Sequence, residues 1–309
     1  MLKILVTGGA GFIGKYLVKS LLKNKNIVTI FDNFSNADKK FTSSLIKSGV
    51  KIIEGDITNL IDISNAVKDQ QIVIHLAAKI SVEESIKNPS ETFRINVDGT
   101  KNILLSCKKN NVKKIIVASS AAVYGESIQN LKLTEKSKMN PISPYGESKI
   151  KMEEEVKKFA RKNGINHIIL RFFNIYGIGQ SDEYAGVITK FLERIRNNED
   201  LKIFGDGKQT RDFVAIQDVI NSIHNAMSYN KNEVFNIASG KTITVKELAE
   251  LMILLSGKKL GIKYLPSKKG DIRYSETYIS LAKENLGYIP KIELKDGIKK
   301  LLNAKINSK

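Results

Sequence analysis

The stretch Thr7-Gly8-Gly9-Ala10-Gly11-Phe12-Ile13-Gly14 decides the fold. It follows the apolar run ILV and precedes the amphipathic stretch KYLVKSLLK, so we expect a strand, a tight turn and a helix. Gly8, Gly11 and Gly14 are spaced at intervals of three residues. Glycines at such positions permit the turn and let backbone N–H groups at the start of the helix approach a pyrophosphate. Because a purely structural turn has the same composition, other residues have to support this interpretation.

Outward from this motif, short β-branched runs alternate with longer amphipathic stretches through the first half of the chain. The strand-like runs are IVTIFDN, VKIIEGDI, IVIHLAA, KKIIVASS and INHIILRFFN. Helical patterns lie around Ala66, from about Glu91 to Asn110 and from about Tyr145 to Asn163. This alternation is typical of βαβ units. We therefore predict an α/β fold, a Rossmann-type doubly wound parallel sheet of about seven strands with helices on both faces.

After Asn174 the pattern becomes less regular. We predict a helix from about Val187 to Asn197, a strand in LKIF, and helices in VKELAELMILLSG and ELKDGIKKLLN. The run VFNIAS, residues 234–239, is typical of a buried strand, so we expect the chain to return to the sheet. The prediction is a dinucleotide-binding domain of residues 1–174 with 211–239, interleaved with a smaller substrate domain of residues 175–210 and 240–309.

The net charge of +18 raises the question of a nucleic-acid or lipid partner. Only seven of the 50 basic residues are Arg, and the Lys residues are scattered along the chain. Biased codon usage accounts for this distribution better than a selected binding surface. Because no block of like charge carries interleaved aromatic residues, we expect neither nucleic acid nor membrane as a partner.

Other residue counts exclude further classes of protein. No run approaches about 18 consecutive apolar residues, and the N-terminus leads directly into the glycine motif, so we expect a cytoplasmic protein. Cys107 is the only cysteine and cannot form an intrachain disulfide. The three histidines, at positions 75, 167 and 224, lie far apart in sequence, so we predict no metal site.

The second and later strands end in residues that suit a dinucleotide. Asp32 follows Gly14 by 18 residues, close to the spacing of about 20 expected for an acid that binds ribose. A carboxylate there accepts hydrogen bonds from ribose hydroxyls and repels a 2′-phosphate, which favours NAD over NADP. Asp56 and Ile57 are predicted to border the adenine, and Leu76-Ala77-Ala78 ends the fourth strand at the same sheet edge. We interpret His75 as a packed structural residue.

Tyr145 and Lys149 form the candidate catalytic pair. They are separated by four residues and therefore share one face of the helix that follows Pro144. A tyrosine with an ordinary pKa of about 10 is a poor base at neutral pH unless a nearby cation favours the phenolate, and Lys149 supplies one. Ser120 follows the fifth strand, where its hydroxyl can relay a proton, and we prefer it to Ser119.

Read in order, the motifs TGGAGFIG, FDN, GDI, HLAA, NVDGT, SSAAVYG and YGESK resemble the extended short-chain dehydrogenase/reductase family. The second half adds RFFNIYG, FGDG with QTRDF, and GDIRYS, which resemble the nucleotide-sugar epimerases within it. The resemblance covers nearly the whole chain. It implies a bound NAD, contacted by the residues named above together with Phe12, Ile13, Asn33, Asn96, Tyr145, Lys149 and Phe173.

The resemblance also implies where a UDP-sugar binds. The candidates are Ser81, Ser120, Asn174, Val187, Arg211, Arg273 and Ser275. Arg211 and Arg273 stand out in a chain that otherwise prefers Lys, which suits bidentate contacts to phosphate, although structural salt bridges would also account for them. Family members that are dehydratases or decarboxylases carry acids beside the catalytic serine, where this chain has Ala121 and Ala122.

The activity implied is therefore the inversion of C4 of a UDP-hexose, with NAD held as a prosthetic group. Another nucleotide-sugar enzyme of the same scaffold, such as a UDP-glucuronate epimerase, a dehydratase or a reductase, is the alternative, and a non-enzymatic NAD-binding or RNA-binding relative a remote one. In similar epimerases a small residue aligned with Ser275 admits a 2-N-acetyl group, which suggests UDP-GlcNAc as a second substrate. The family's homodimers pair the two helices near residues 91–110 and 145–163.

Overall fold

The computed structural model describes residues 1–37, 42, 45, 49–128, 131–180, 186–267 and 272–304. The strands are β1 (Lys3–Thr7), β2 (Ile27–Asp32), β3 (Lys51–Glu54), β4 (Ile72–His75), β5 (Lys114–Ser120), β6 (Asn166–Phe172), β7 (Asn174–Tyr176), β8 (Leu201–Phe204), β9 (Thr210–Ala215), β10 (Glu233–Ile237), β11 (Thr242–Thr244) and β12 (Ile262–Leu265). The helices are α1 (Phe12–Lys23), α2 (Leu60–Val67), α3 (Val82–Lys87), α4 (Pro89–Phe93), α5 (Gly99–Lys109), α6 (Pro144–Asn163), α7 (Val187–Arg196), α8 (Ile216–Ser228), α9 (Val245–Ser256), α10 (Ser280–Leu286) and α11 (Leu294–Asn303).

A seven-stranded sheet has the order β10-β6-β5-β4-β1-β2-β3. Strand β1 pairs in parallel with β2 on one side and β4 on the other, and β2–β3 and β4–β5 are parallel as well. The inner strands are apolar on both faces, as parallel strands covered by helices must be. This arrangement confirms the predicted Rossmann-type fold. Because the chain order reverses at β1, the carboxyl ends of β1 and β4 flank the place where such sheets bind ligands.

Two smaller sheets accompany it. Strands β11, β9 and β7 form one, with β7 and β9 parallel and β11 antiparallel to β9. Strands β12 and β8 form the other, in parallel. The sequence pattern did not reveal β7, β11 or β12, which are only three or four residues long.

The chain divides into two compact units. The first comprises residues 1–125, 139–171 and 220–235, and the second comprises residues 126–138, 172–219 and 236–309. Each has its own apolar core. The core of the first includes Leu5, Phe31, Ile63, Val73, Ile103, Ile115, Met152 and Val156. The core of the second includes Tyr176, Ile188, Phe191, Leu201, Phe213, Leu248, Met252 and Ile298.

Helix α6 begins and ends at residues suited to those positions. The Ser143 hydroxyl accepts a hydrogen bond from the Gly146 N–H at 3.2 Å, and Pro144 occupies the first helical position. Gly164 terminates the helix with a φ of 66°. These local signals fix where the 20-residue helix begins, and therefore which of its residues face inward.

The predicted helix from about Glu91 to Asn110 is present, but it contains a π-helical turn. Helix α4 ends at Phe93, residues Arg94–Asp98 form a π-helical turn, and α5 continues from Gly99. Such turns are frequent at functional sites. Along the described part of the chain, every helix is too short or too polar to cross a bilayer.

Gly297 in α11 packs directly on the ring of Tyr176, where a Cβ would lie 2.1 Å from the hydroxyl oxygen. Gly297→Ala is therefore expected to lower the free energy of unfolding by about 2 kcal/mol, because a buried ring would have to shift. Urea denaturation measures the loss. Gly186→Ala is the control, since a Cβ there meets nothing within 4 Å. Equal small losses in both variants would contradict the packing argument.

Candidate active site

The glycine motif forms a closely packed loop between β1 and α1. Gly8 has a φ of +69°, and a Cβ on it would lie 2.7 Å from the Ala77 backbone nitrogen. A Cβ on Gly14 would lie 2.5 Å from two backbone carbonyl oxygens, those of Gly8 and Gly9. Helix α1 begins at Phe12 after Gly11, which has no side chain to cap it. The backbone N–H groups of Phe12 and Ile13 therefore lie at a helix N-terminus suited to an anion.

Asp32 fastens this loop to the end of β2. Its carboxylate accepts hydrogen bonds from the Ala10 N–H and the Phe34 N–H, both at 2.9 Å. The side chain is buried, and this burial raises its pKa above the ordinary aspartate value. Each oxygen keeps a further lone pair, so the carboxylate can also accept from a ribose hydroxyl. Asn33 is exposed, and its side chain accepts hydrogen bonds from the N–H and hydroxyl of Ser35.

The other predicted cofactor residues of the first unit follow β3 and β4. Asp56 accepts hydrogen bonds from Thr58 N–H and hydroxyl, both at 2.8 Å, and Ile57 is buried. The Leu76 N–H donates to the Thr7 carbonyl at 3.0 Å, which holds the segment Leu76-Ala77-Ala78 against the end of β1. The glycine loop, Asp56-Ile57 and Leu76-Ala77-Ala78 thus follow β1, β3 and β4, three strands of the same sheet.

His75, the last residue of β4, belongs to a chain of buried hydrogen bonds. The Thr100 hydroxyl donates to the Asn96 carbonyl at 2.7 Å, so its oxygen accepts from His75 Nε2 at 3.0 Å. His75 Nδ1 then accepts from the Thr7 hydroxyl at 2.8 Å. Burial and the nearby charge of Lys149 lower the pKa of His75 to about 3. The ring is neutral, with its proton on Nε2, and it connects the ends of β1 and β4 to the π-helical turn.

Asn96 extends the same network to helix α6. Its side-chain oxygen accepts from the Lys79 N–H at 2.8 Å, and its amide nitrogen donates to the Lys79 carbonyl at 3.0 Å. The amide nitrogen also donates to Ser148 Oγ at 2.9 Å, and Ser148 in turn donates to the Tyr145 carbonyl at 2.7 Å. The buried Asn96 side chain thus joins the loop after β4 to the turn of α6 that carries Tyr145.

The three predicted catalytic residues come together at the end of β5. Ser120 accepts a hydrogen bond from the Ala122 N–H at 3.1 Å, and its side chain is near enough to the Tyr145 phenol to affect the pKa of that phenol. Burial raises the pKa of Tyr145, and the interaction with Ser120 opposes that effect. Lys149 Nζ lies 5.9 Å from the centroid of the Tyr145 ring and donates to the Ala118 carbonyl at 3.0 Å. Burial lowers the pKa of Lys149 to about 8, while the charge of Glu153 acts in the opposite direction.

Of the predicted substrate residues, Ser81 belongs to the first unit. It is the N-cap of α3, where its hydroxyl accepts from the Glu84 N–H at 3.1 Å. The segment Ala121-Ala122 forms a short 3₁₀ turn directly after Ser120. A Cβ on Gly146 would lie 2.5 Å from the Ala122 carbonyl oxygen. Gly146 therefore allows the start of α6 to approach this turn closely.

The second unit collects other predicted contacts around β9. The Asn174 amide donates to the Asp212 carbonyl at 3.0 Å, and the Arg211 guanidinium donates to the Thr210 carbonyl at 2.8 Å. Asp212 is buried and accepts from Ser239 N–H, Ser239 hydroxyl and Gly240 N–H. Burial raises its pKa to about 6. The Asp212 carboxylate thereby fastens the turn after β10 to the strand that carries Arg211.

Arg273 is held by two carboxylates that the sequence did not assign. Its guanidinium pairs with Asp206 through contacts of 3.2 and 2.7 Å, and its backbone N–H donates to Glu126 at 2.8 Å. Ser275 is buried, and its N–H donates to the Thr210 hydroxyl at 3.4 Å. Gly270 and Asp271, which open the predicted motif, lie outside the described residues. Asp206 belongs to the motif FGDG, but its pairing with Arg273 could not be predicted from that motif.

The two remaining predicted contact residues, Phe173 and Val187, also belong to the second unit. Phe173 follows β6, is buried, and its N–H donates to the Ile237 carbonyl at 3.0 Å. Val187 is half-buried and begins α7. Neither position reveals a ligand by itself, so their roles stay predictions.

Comparison with known proteins places these features in a family. Residues 4–238 match the model of the NAD dependent epimerase/dehydratase family. The structure is similar to that of a UDP-glucose 4-epimerase from Thermotoga maritima with UDP-glucose, with a TM-score of 0.92 and 35% identity over 97% of each chain. It is also similar to a UDP-N-acetylglucosamine 4-epimerase from Methanobrevibacter ruminantium, in complex with UDP-N-acetylmuramic acid, with a TM-score of 0.92 and 34% identity over 97% of each chain. A third similar structure is a UDP-glucuronic acid 4-epimerase from Bacillus cereus, in complex with UDP-glucuronic acid and NAD, with a TM-score of 0.90 and 32% identity over 98% of each chain.

Lys149 is expected to cost the folded protein stability at neutral pH. Between pH 8 and its ordinary value near 10.5, the unfolded chain binds the Lys149 proton more tightly than the folded protein, so stability rises with pH there. Below pH 8 the full cost of the buried charge is present. Lys149→Met should therefore raise the free energy of unfolding at pH 7 by on the order of 2 kcal/mol.

Urea denaturation at several pH values measures this effect. The gain from Lys149→Met should shrink as the pH rises from 8 toward 10.5. Lys151→Met removes a lysine charge from an exposed position of the same helix and should change the free energy of unfolding little at any of these pH values. A Lys149→Met protein that is less stable than wild type at pH 7 would contradict the assignment of an unfavourable buried charge.

Proposed function

Because the chain belongs to the NAD-dependent epimerase/dehydratase family, we propose that it inverts C4 of a UDP-hexose through a transient 4-keto sugar. The observation that carries this proposal is the cluster at the end of β5. The Ser120 side chain is near enough to the Tyr145 phenol to lower its pKa, and Lys149 Nζ lies 5.9 Å from the ring centroid of the same tyrosine.

The residues of the first unit fit NAD. The glycine loop has no room for a Cβ at Gly8 or Gly14, so the backbone there is exposed to close approach by a pyrophosphate. Asp32 offers a carboxylate to the ribose at the end of β2. When bound, NAD would supply the acceptor for the C4 hydride and the donor that returns it, and its positive charge would favour the phenolate.

Tyr145 is proposed to remove the proton from the sugar O4. Burial opposes the phenolate, so the cation of Lys149 has to favour it at neutral pH. The Ser120 side chain lies near the Tyr145 phenol and is proposed to pass the proton between the sugar and the phenol. After the keto sugar has rotated to present its other face, the same two groups return the proton to O4 as C4 is inverted.

Ala121 and Ala122 support epimerisation over dehydration. The 3₁₀ turn after Ser120 offers two methyl groups where elimination would need an acid and a base. UDP-glucuronate stays an alternative substrate, because one of the similar structures is an epimerase of that sugar.

The nucleotide is proposed to bind through Asn174, Arg211 and Arg273. The pair between Arg273 and Asp206 is half-exposed, with 45% of each side chain accessible. Such exposed pairs contribute little stability, so the guanidinium can turn to a phosphate at low cost. The allocation of residues 1–174 with 211–239 to NAD, and of residues 175–210 with 240–309 to the UDP-sugar, stays a prediction, as do the contacts of Ser81 and Val187.

Homodimerisation through the helices near residues 91–110 and 145–163 is part of the proposal. Leu105 on α5 supports it, because 46% of this apolar side chain is exposed. The neighbouring surface carries ion pairs such as Lys101 with Glu155, at 3.9 Å. A pairing of these helices would therefore combine apolar and charged contacts.

Proton NMR tests the proposed reaction directly. The purified protein is incubated with UDP-glucose, UDP-GlcNAc or UDP-glucuronate without added cofactor, and the anomeric signals are followed. We expect the galacto epimer to appear, because NAD is regenerated in each turnover and stays bound. Tyr145→Phe should lower the rate at least about 100-fold, since it removes the proton acceptor. A protein that changes none of the three sugars, even with NAD supplied, would refute the proposal.

Ser275 is expected to determine whether a 2-N-acetyl group is accepted. The position is buried and holds a small side chain, so the larger ring of Ser275→Tyr should occupy the volume proposed for the 2-N-acetyl group. We expect this variant to lose activity on UDP-GlcNAc by at least about 100-fold and to retain activity on UDP-glucose. Ser275→Ala is the control and should keep both activities. If Ser275→Tyr keeps its UDP-GlcNAc activity, Ser275 does not determine specificity.

A further inference from the structure

A buried ion pair lies beside the serine that is proposed to relay the proton, and it takes no part in that transfer. Glu153, in α6, is fully buried. Its Oε1 accepts hydrogen bonds from Arg171 Nε at 2.8 Å and from Ser119 Oγ at 2.7 Å. Its Oε2 accepts from Arg171 Nη2 at 2.7 Å and from Lys157 Nζ at 3.1 Å. All four acceptor directions of the carboxylate are thus used, which fixes its position.

Arg171, in β6, joins this carboxylate to Tyr124. Its Nη1 donates to the Tyr124 hydroxyl at 2.7 Å, and the guanidinium carbon lies 5.0 Å from the centroid of the Tyr124 ring. Burial acts to raise the pKa of Glu153, but the hydrogen bonds and charge of Arg171 hold it below its ordinary value. Burial opposes the charge of Arg171 as well, but Glu153 raises its pKa. Both groups are therefore charged at neutral pH.

The two partners contact side chains on either side of Ser120 in the chain. Ser119 precedes Ser120 directly, and its hydroxyl donates to Glu153. Tyr124, which Arg171 holds, follows the 3₁₀ turn that comes after Ser120. The short segment that carries Ser120 is thus attached to the ion pair at both of its ends.

The turn between these two attachment points sets the direction of the Ser120 hydroxyl. The Ala122 N–H donates to Ser120 Oγ at 3.1 Å. The Tyr124 N–H donates to the Ala121 carbonyl at 3.1 Å and closes the turn. A shift of Tyr124 would therefore move the Ala122 N–H, and with it the hydrogen bond that orients the serine hydroxyl.

Stability alone does not account for a buried ion pair at this place. Removing two charges from water is costly, and apolar residues of similar volume are often at least as stable. Charge-assisted hydrogen bonds are short and directional, however, so the pair can hold two hydroxyl groups at defined places. The hydroxyls that it holds are those of Ser119 and Tyr124.

We propose that Glu153 and Arg171 are positioning residues for Ser120, with Glu153 acting through Ser119 and Arg171 through Tyr124. This inference rests on the proposed function for the role of Ser120 as the proton relay. None of these four residues is proposed to touch the sugar or NAD. Their loss should therefore slow the chemical step only as far as it displaces Ser120.

Removing one hydroxyl at a time tests each contact. Ser119→Ala and Tyr124→Phe should each lower kcat on UDP-glucose about 10-fold, because a misplaced relay slows proton transfer, and should change KM less than about twofold. In a Ser120→Ala background neither substitution should lower kcat further, because the group that it positions is absent. Losses that multiply with that of Ser120→Ala would overturn the inference.

Tyr288→Phe is the matched control. Tyr288 is also buried, and its hydroxyl donates to the Ala238 carbonyl at 2.9 Å within the second unit. This variant should lower the urea midpoint about as much as Tyr124→Phe does and leave kcat unchanged. If it lowers kcat as Tyr124→Phe does, loss of stability accounts for both effects and the inference fails.

Glu153→Met combined with Arg171→Met tests the ion pair itself, because it removes both charges at similar volume and leaves neither buried alone. In this variant kcat should fall at least about 10-fold, but it should not fall in the Ser120→Ala background. A loss that persists in that background would mean that the pair acts through another group, such as Lys149, and would contradict the proposal. If the variant does not fold, the two hydroxyl variants still decide the inference.

Hydrogen exchange of the Ala122 amide, measured by NMR, reports the position of Ser120 without any sugar. In protein labelled with nitrogen-15 alanine and saturated with NAD, the signal is assigned by its absence in Ala122→Ser. Exchange should be about 10-fold faster in Ser119→Ala and in Tyr124→Phe, because the acceptor Ser120 Oγ is displaced. Tyr288→Phe should leave it unchanged.

The two measurements separate this inference from the proposed function. Unchanged exchange in both hydroxyl variants would refute the positioning of Ser120, whatever the protein does to the sugars. Faster exchange in a protein that epimerises none of the sugars would support the positioning of Ser120 while refuting the proposed function.

Discussion

Helix α6 has to bury two opposite charges in an otherwise apolar layer, and much of the first unit is arranged around that requirement. Lys149 and Glu153 face the same core as Met152 and Val156. A buried charge without partners would cost more than a domain of this size can tolerate. The ends of β5 and β6 meet this requirement. The Ala118 carbonyl accepts from Lys149, while Ser119 and Arg171 donate to Glu153.

The same helix is fixed at its other side by neutral hydrogen bonds. Asn96 reaches Ser148, and Ser148 reaches the carbonyl of Tyr145, so the first turns of α6 are connected to the loop after β4. His75 joins that loop to the glycine motif through Thr7. Tyr145 and the glycine loop are therefore positioned by one continuous set of buried polar contacts. Such networks are stable only when every member is satisfied.

Much of this could be predicted from the sequence, because the decisive signals are local. The spacing of Gly8, Gly11 and Gly14 and the four-residue separation of Tyr145 and Lys149 depend only on turn and helix geometry. The pairing of Arg273 with Glu126 and Asp206 could not be predicted, because these partners lie 147 and 67 residues away along the chain. The burial of Glu153 was not predicted either, since a glutamate within the run MEEEV is typical of a solvated helix face.

The π-helical turn at Arg94–Asp98 has a consequence for how this segment can change. A π-turn accommodates one residue more than the surrounding α-helix, and each residue of an α-helix turns the chain by about 100°. The extra residue therefore sets the rotation between α4 and α5, and with it the direction in which the Asn96 amide points. Deleting one residue from the turn would act as a rotation of one half of the helix against the other. The direction of Asn96 is encoded in the number of residues here as much as in their identity.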